Sequence, residues 1–81
     1  MAKPSPKYAK NPVLSELGAA IRSARLEAAL SQESLASDAE LDRSYMGGIE
    51  RGEHNLTLIN LHKIAIALGT EPSKLLKAAG Y

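Results

Sequence analysis

Apolar residues recur every three or four positions along most of the chain, which is the spacing of amphipathic helices rather than of strands. Short polar breaks divide this pattern into five predicted helices, at residues 12–29, 32–39, 43–51, 58–68 and 72–79. Because the chain contains no Phe and no Trp, a core formed by these helices must be built mainly from Leu, Ile, Ala and Met. The sequence therefore predicts an all-α domain of five helices.

Recognisable capping residues lie at the predicted boundaries. Ser31, Asp42 and Thr57 each precede a helix and can accept a hydrogen bond from a free backbone N–H in its first turn. Gly69 follows the fourth helix, where a left-handed residue commonly ends a helix, and Pro72 suits the first turn of the fifth. The apolar stripes assign these residues to the core: Leu14, Leu17, Ile21, Ala24, Ala28, Leu35, Ala36, Ala39, Tyr45, Met46, Ile49, Leu58, Leu61, Ile64, Ala65, Leu68, Leu75 and Leu76.

Length and composition argue against several classes of protein. Eighty-one residues suffice for one domain, and the absence of cysteine excludes disulfides and cysteine-based zinc sites. No nucleophile–base pair, metal cluster or phosphate-binding loop suggests an enzyme, and we expect no cofactor, no metal and no small-molecule ligand. We expect His54 and His62 at the surface. No apolar run is long enough to span a membrane and no signal peptide is evident, so we expect a cytoplasmic protein.

Charge is distributed unevenly along the chain. Residues 1–12 contain three prolines and the lysines Lys3, Lys7 and Lys10 without any acid, which favours a flexible basic arm in front of a folded domain at residues 13–81. Residues 13–56 carry four arginines and eight acidic residues, so this part of the chain is negative overall.

The second and third helices form the most informative segment. They are short, each begins with a capping residue, and only a few residues join them, which is the pattern of a helix-turn-helix. In that arrangement the outward face of the third helix is free to enter the major groove of DNA. Many small helical bundles share this spacing, so the spacing alone leaves a DNA-binding module and a protein-interaction module both open.

Three segments resemble the phage Cro/cI-type helix-turn-helix regulators, also called the XRE family, which share the lambda-repressor-like fold. The segments are IRSARLEAALSQESLA, LDRSYMGGIERGEHNLTL and LHKIAIALGTEPSKLL, and the match runs from about Leu17 to Leu76. The phrase YMGGIERGEHNLTLINLHKIA is similar to the restriction–modification controller proteins. The resemblance implies a transcriptional regulator that binds a pseudo-palindromic operator as a homodimer and regulates its own operon. An antitoxin-like protein that neutralises a partner is the alternative.

The resemblance also implies roles for particular residues. The third helix becomes the recognition helix, in which Arg43 can pair with the O6 and N7 acceptors of guanine. The positions that match DNA contacts of the family are Gln32, Arg43, Ser44, Tyr45, Gly48, Arg51, Asn55 and Thr57. Arg25 and Glu50 match a structural ion pair between the first and third helices. The dimer surface is expected on the fifth helix, at Leu75, Leu76, Ala79 and Tyr81.

Two features depart from the family pattern. Ala29 and Glu40 occupy positions where the family usually has glycine. Either these turns have a different shape, or a left-handed residue is tolerated there at a cost of about 1–2 kcal/mol each. Gly47 and Gly48 lie inside the recognition helix, and the family often places a long polar side chain at the second of these positions. We therefore expect fewer direct base contacts, or a close approach of the helix backbone to DNA.

Overall fold

The computed structural model describes residues 10–81, and this part of the chain contains five α-helices. They are α1 (Pro12–Glu27), α2 (Gln32–Asp38), α3 (Arg43–Glu50), α4 (Leu58–Ala67) and α5 (Pro72–Ala78). The predicted all-α class is confirmed. Each helix begins where the sequence predicts and ends one or two residues earlier than predicted. Of the basic arm, Lys3 and Lys7 lie outside the described residues.

Side-chain caps fix where the helices begin. Ser31, Asp42 and Thr57 each accept a hydrogen bond from the backbone N–H three residues later, at 3.0, 3.2 and 3.1 Å. These three predicted caps are confirmed. Asn11, which the sequence analysis did not single out, caps α1 by accepting a hydrogen bond from the backbone N–H of Val13 at 3.0 Å.

The turns after α1 and α2 place a non-glycine residue in the left-handed region. Ala29 and Glu40 both have a φ angle of 58°, so the two turns keep the left-handed residue rather than taking a different shape. Each turn is closed by a hydrogen bond, from Leu30 N–H to Arg25 O at 3.1 Å and from Leu41 N–H to Ala36 O at 2.8 Å. The closing bonds satisfy the free carbonyls at the helix ends and so help to offset the strain of the left-handed residue.

The core lies where the inward faces of the five helices meet. Its largest fully buried side chains are Ile21, Leu35, Met46 and Ile64. The predictions that Ala28 and Leu58 are buried are wrong. Ala28 is exposed at the end of α1, and 73% of Leu58 is exposed. Leu58 occupies the first position of α4, and the inward stripe of that helix begins only with the next turn.

A buried ion pair connects α1 to α3. Arg25 donates from Nε to Glu50 Oε2 at 2.7 Å and from Nη2 to Glu50 Oε1 at 3.0 Å. Arg25 Nη1 donates to the carbonyl of Leu30 at 2.9 Å, and Gln32 Nε2 donates to Glu50 Oε1 at 3.0 Å. The side chain of Glu50 is only 1% exposed. The hydrogen bonds that Arg25 donates to Glu50 raise the pKa of Arg25. The network joins α1, α2 and α3.

Gly18 allows α1 and α3 to come close enough for this pair. A Cβ atom at Gly18 would overlap the backbone carbonyl oxygens of Ile49 and Glu50. Backbone atoms inside a helix cannot move aside as the end of a flexible side chain can, so only glycine fits.

The ion pair yields a prediction about stability. We expect Glu50→Ala to lower the free energy of unfolding by about 3–5 kcal/mol, because it leaves a buried guanidinium without its partner. The double variant Arg25→Met, Glu50→Leu removes both charges, so we expect its free energy of unfolding to fall by less than that of the single variant. Urea denaturation of the three proteins measures both effects. A loss below 1 kcal/mol for Glu50→Ala would show that solvent replaces the pair.

Candidate nucleic-acid interface

The outward side of α3 is formed by residues 43, 44, 47, 48 and 51, opposite Met46, Ile49 and Glu50, which are buried in the core. Gly47 and Gly48 are buried as well, beneath side chains from other elements. Arg43 occupies the first position of α3 and is exposed. It takes part in neither of the two ion pairs found among residues 10–81. Ser44 follows it and is half-buried. The first turn of α3 therefore presents an arginine whose five N–H donors are available to an external acceptor.

Tyr45 is held between the core and the surface. Its side chain is half-buried, and its hydroxyl oxygen accepts a hydrogen bond from Asn60 Nδ2 at 3.2 Å. The ring lies 4.8 Å from the imidazole of His54, centroid to centroid, at an angle of 52°. The hydroxyl proton is still available for donation, so the side chain can reach outward while α4 fixes its position.

The expectation that His54 lies at the surface is wrong, because this residue is only 7% exposed. Its imidazole fills the space beside Gly48, where a Cβ atom would overlap the ring at Nε2 and Cδ2. Gly48 is itself buried beneath this ring, and its assignment as a DNA-contacting residue stays a prediction. The glycine at this position makes room for a side chain from the following loop.

Gln32 extends from the first position of α2 to α3. Its Nε2 is used in the hydrogen bond to Glu50, and its Oε1 lies over Gly47, 3.4 Å from where a Cβ atom would stand. Gln32 is half-buried. Its carboxamide oxygen is thus placed on the outward side of α3, although the residue belongs to another helix.

Arg51 forms the second ion pair, with Glu53. Arg51 Nε donates to Glu53 Oε2 at 2.8 Å and Nη2 donates to Glu53 Oε1 at 3.2 Å. The two side chains are 60% and 28% exposed. The hydrogen bonds from Arg51 hold the pKa of the Glu53 carboxyl below its usual range, and the pKa of Arg51 is raised. Both groups consequently stay charged at neutral pH.

Asn55 and Thr57 lie in the segment between α3 and α4, and both are exposed. Thr57 Oγ1 is occupied as the cap of α4. Its neighbours at the start of α4 carry backbone N–H groups that have no partner within the helix, and such groups suit a phosphate oxygen.

The structure brings Gln32, Arg43, Ser44 and Arg51 to the outward side of α3, with Asn55 and Thr57 in the segment that follows. Glu50 is turned away from that side. The sequence analysis missed His54 and Glu53, although a glycine pair inside a helix signals that side chains from elsewhere must cover it.

No group of His, Asp and Glu within residues 10–81 is arranged to hold a metal ion. None of the five helices is long and apolar enough to cross a membrane.

Comparisons with known proteins agree with this geometry. A family model described as helix-turn-helix matches residues 21–75. The control protein C.BamHI of Bacillus amyloliquefaciens is 45% identical over 60 residues, which cover 73% of this chain and 74% of that protein.

Solved structures of two regulators share the fold. The restriction–modification controller protein C.AhdI from Aeromonas hydrophila has a TM-score of 0.75 and 48% identity, covering 76% of this chain and 94% of that one. The clp gene regulator ClgR from C. glutamicum has a TM-score of 0.82 and 28% identity, covering 84% of this chain and 87% of that one.

Proposed function

This chain belongs to the helix-turn-helix family of XRE-type DNA-binding transcription regulators, and on that basis we propose that it binds a pseudo-palindromic operator as a homodimer and regulates its own operon. The family consists of transcription regulators rather than enzymes. Two copies of α3 would lie in successive major grooves about one helical turn apart.

One observation carries the proposal: Arg43 and Arg51 are exposed on the outward side of α3, while the acid of that helix is turned inward. Arg43 is exposed and Glu50 is buried in its pair with Arg25. A guanidinium in the first turn of a recognition helix can donate two parallel hydrogen bonds to O6 and N7 of guanine. We assign this base contact to Arg43.

The remaining contacts position the domain on the sugar-phosphate backbone. Ser44 can reach either a base or a phosphate, and the hydroxyl of Tyr45 can donate to a phosphate oxygen. The proposed positioning contacts are Gln32, Tyr45, Arg51, Asn55 and Thr57. Because residues 13–56 are negative overall, each domain should bind with modest affinity, and two domains on one operator compensate for this.

The dimer surface is better placed on α4 than on α5. Leu75 is 3% exposed, and Leu76 and Ala79 are half-buried. Of the expected α5 surface only Tyr81, which is 54% exposed, offers a large accessible side chain. On α4, by contrast, Leu58, Ile59 and Ile66 are 73, 71 and 61% exposed. We call these three residues the α4 apolar patch. An exposed apolar patch of this kind is typical of a surface that a partner covers.

The DNA-binding proposal predicts that Arg43→Ala relaxes sequence preference. Fluorescence anisotropy with a labelled duplex from the region upstream of this gene, and with a scrambled duplex, measures the preference across salt concentrations. We expect a steep salt dependence for the wild-type protein and a loss of about 1–3 kcal/mol of discrimination for Arg43→Ala. Lys77→Ala removes the same charge from α5 and should leave the discrimination intact. If Arg43→Ala lowers the affinity for both duplexes equally, Arg43 contacts a phosphate rather than a base.

The dimer proposal predicts that Ile59→Glu separates the subunits. We expect the wild-type protein to sediment as a dimer at tens of micromolar and the variant to sediment as a monomer with weaker operator binding, because a charge is unfavourable inside an apolar interface. Val13→Glu places the same charge at an exposed apolar residue of α1 and serves as the control. If the wild-type protein is a monomer at this concentration, the proposed dimer is contradicted. If the Ile59→Glu variant is still a dimer, the α4 apolar patch is not the dimer surface.

A further inference from the structure

We propose that Glu53 and Gly47 together hold the guanidinium of Arg51 in one position, so that its remaining free edge binds a pair of acceptor atoms on DNA. Arg51 is then a pre-positioned DNA contact, and Glu53 and Gly47 are the residues that position it. The inference rests on the proposed DNA-binding function and deepens it, because it names a determinant that the family resemblance does not supply. The acceptor pair is either two phosphate oxygens or the O6 and N7 atoms of guanine, which offer an arginine similar geometry.

Glu53 occupies only one edge of the guanidinium. Its two oxygens take Nε and Nη2 of Arg51, at 2.8 and 3.2 Å. The planar guanidinium carries five N–H groups, so Nη1 and the second hydrogen of Nη2 form another edge with two parallel donors. A carboxylate on the first edge therefore leaves the second edge available and restricts where it can lie.

Gly47 provides the place where that second edge lies. A Cβ atom at position 47 would stand 3.1 Å from Arg51 Nη1 and 3.4 Å from Gln32 Oε1. The guanidinium thus folds back along the outward side of α3 to a point four residues earlier, beside the carboxamide of Gln32. A Cβ atom at position 47 would touch Gln32 Oε1 and press on Arg51 Nη1, displacing the guanidinium by a few tenths of an ångström, while α3 would gain helix propensity from the change.

Whether removing Glu53 tightens or weakens DNA binding shows whether this residue acts by positioning Arg51 or only through its negative charge. Removing an acid from a DNA-facing surface should by charge alone tighten binding to every duplex. If Glu53 positions Arg51, its removal instead frees a long side chain that must be immobilised again on binding, which we expect to weaken binding about three- to tenfold. Gly47→Ala changes no charge, so it tests the position of the guanidinium without this competing effect.

The experiment uses the full chain and a duplex that wild-type protein selects from a random-sequence library. Affinities for that duplex and for a scrambled duplex are measured for wild type, Gly47→Ala, Glu53→Ala, Arg51→Ala and the two double variants with Arg51→Ala. Thermal melts confirm that each variant is folded, and Gly47→Ala should melt at or above the wild-type temperature. We expect Gly47→Ala and Glu53→Ala each to weaken binding about three- to tenfold in the presence of Arg51, and neither to weaken it in the Arg51→Ala background.

The measured affinities show whether Arg51 contacts a phosphate or a guanine, and they separate a failure of the positioning inference from a failure of the proposed function. Equal losses on both duplexes, with a smaller salt slope for Arg51→Ala, identify a phosphate. A loss confined to the selected duplex identifies guanine. If Gly47→Ala and Glu53→Ala bind as well as wild type or better, or weaken binding equally without Arg51, the positioning inference is overturned while the DNA-binding function stands. If the wild-type protein enriches no sequence, the proposed function itself fails.

Discussion

The ion pair between Arg25 and Glu50 determines which side of α3 faces outward. An ionised carboxylate that is almost fully buried needs its hydrogen bonds, and Glu50 receives them from Arg25 on α1 and from Gln32 on α2. A rotation of α3 about its axis would break all three contacts and expose Met46 and Ile49. The same pair therefore keeps a negative charge away from the surface where DNA would bind and keeps Arg43 on that surface.

Side chains from neighbouring elements cover much of the outward side of α3. Gly47 and Gly48 contribute no side chain of their own, and Gln32, Arg51 and His54 lie across them. A glycine pair weakens a helix by roughly 1 kcal/mol per residue, and the buried network beneath it compensates by fixing the helix through other contacts. The outward side of α3 is therefore made partly of side chains from α2 and from the segment that follows α3.

Sequence reasoning was most accurate where local chemistry decides the structure. Ser31, Asp42 and Thr57 cap the predicted helices because a short side-chain oxygen at this position accepts a hydrogen bond from the first turn whatever packs around the helix. Sequence reasoning was wrong in α4, where apolar residues lie on both sides of the helix. The spacing of these residues does not show which side packs against the core. Leu58 was therefore assigned inward wrongly. The burial of His54 depends on the space left by Gly48 in a different element, and periodicity within one helix contains no information about such a space.

The most direct test of the central claim is a titration of the labelled protein with its selected duplex, followed by two-dimensional amide NMR. The account predicts that the largest shift changes fall on Gln32, Arg43, Ser44 and Arg51, with smaller changes at Asn55 and Thr57. Changes concentrated on α1 and α5, with the outward side of α3 unaffected, would contradict it.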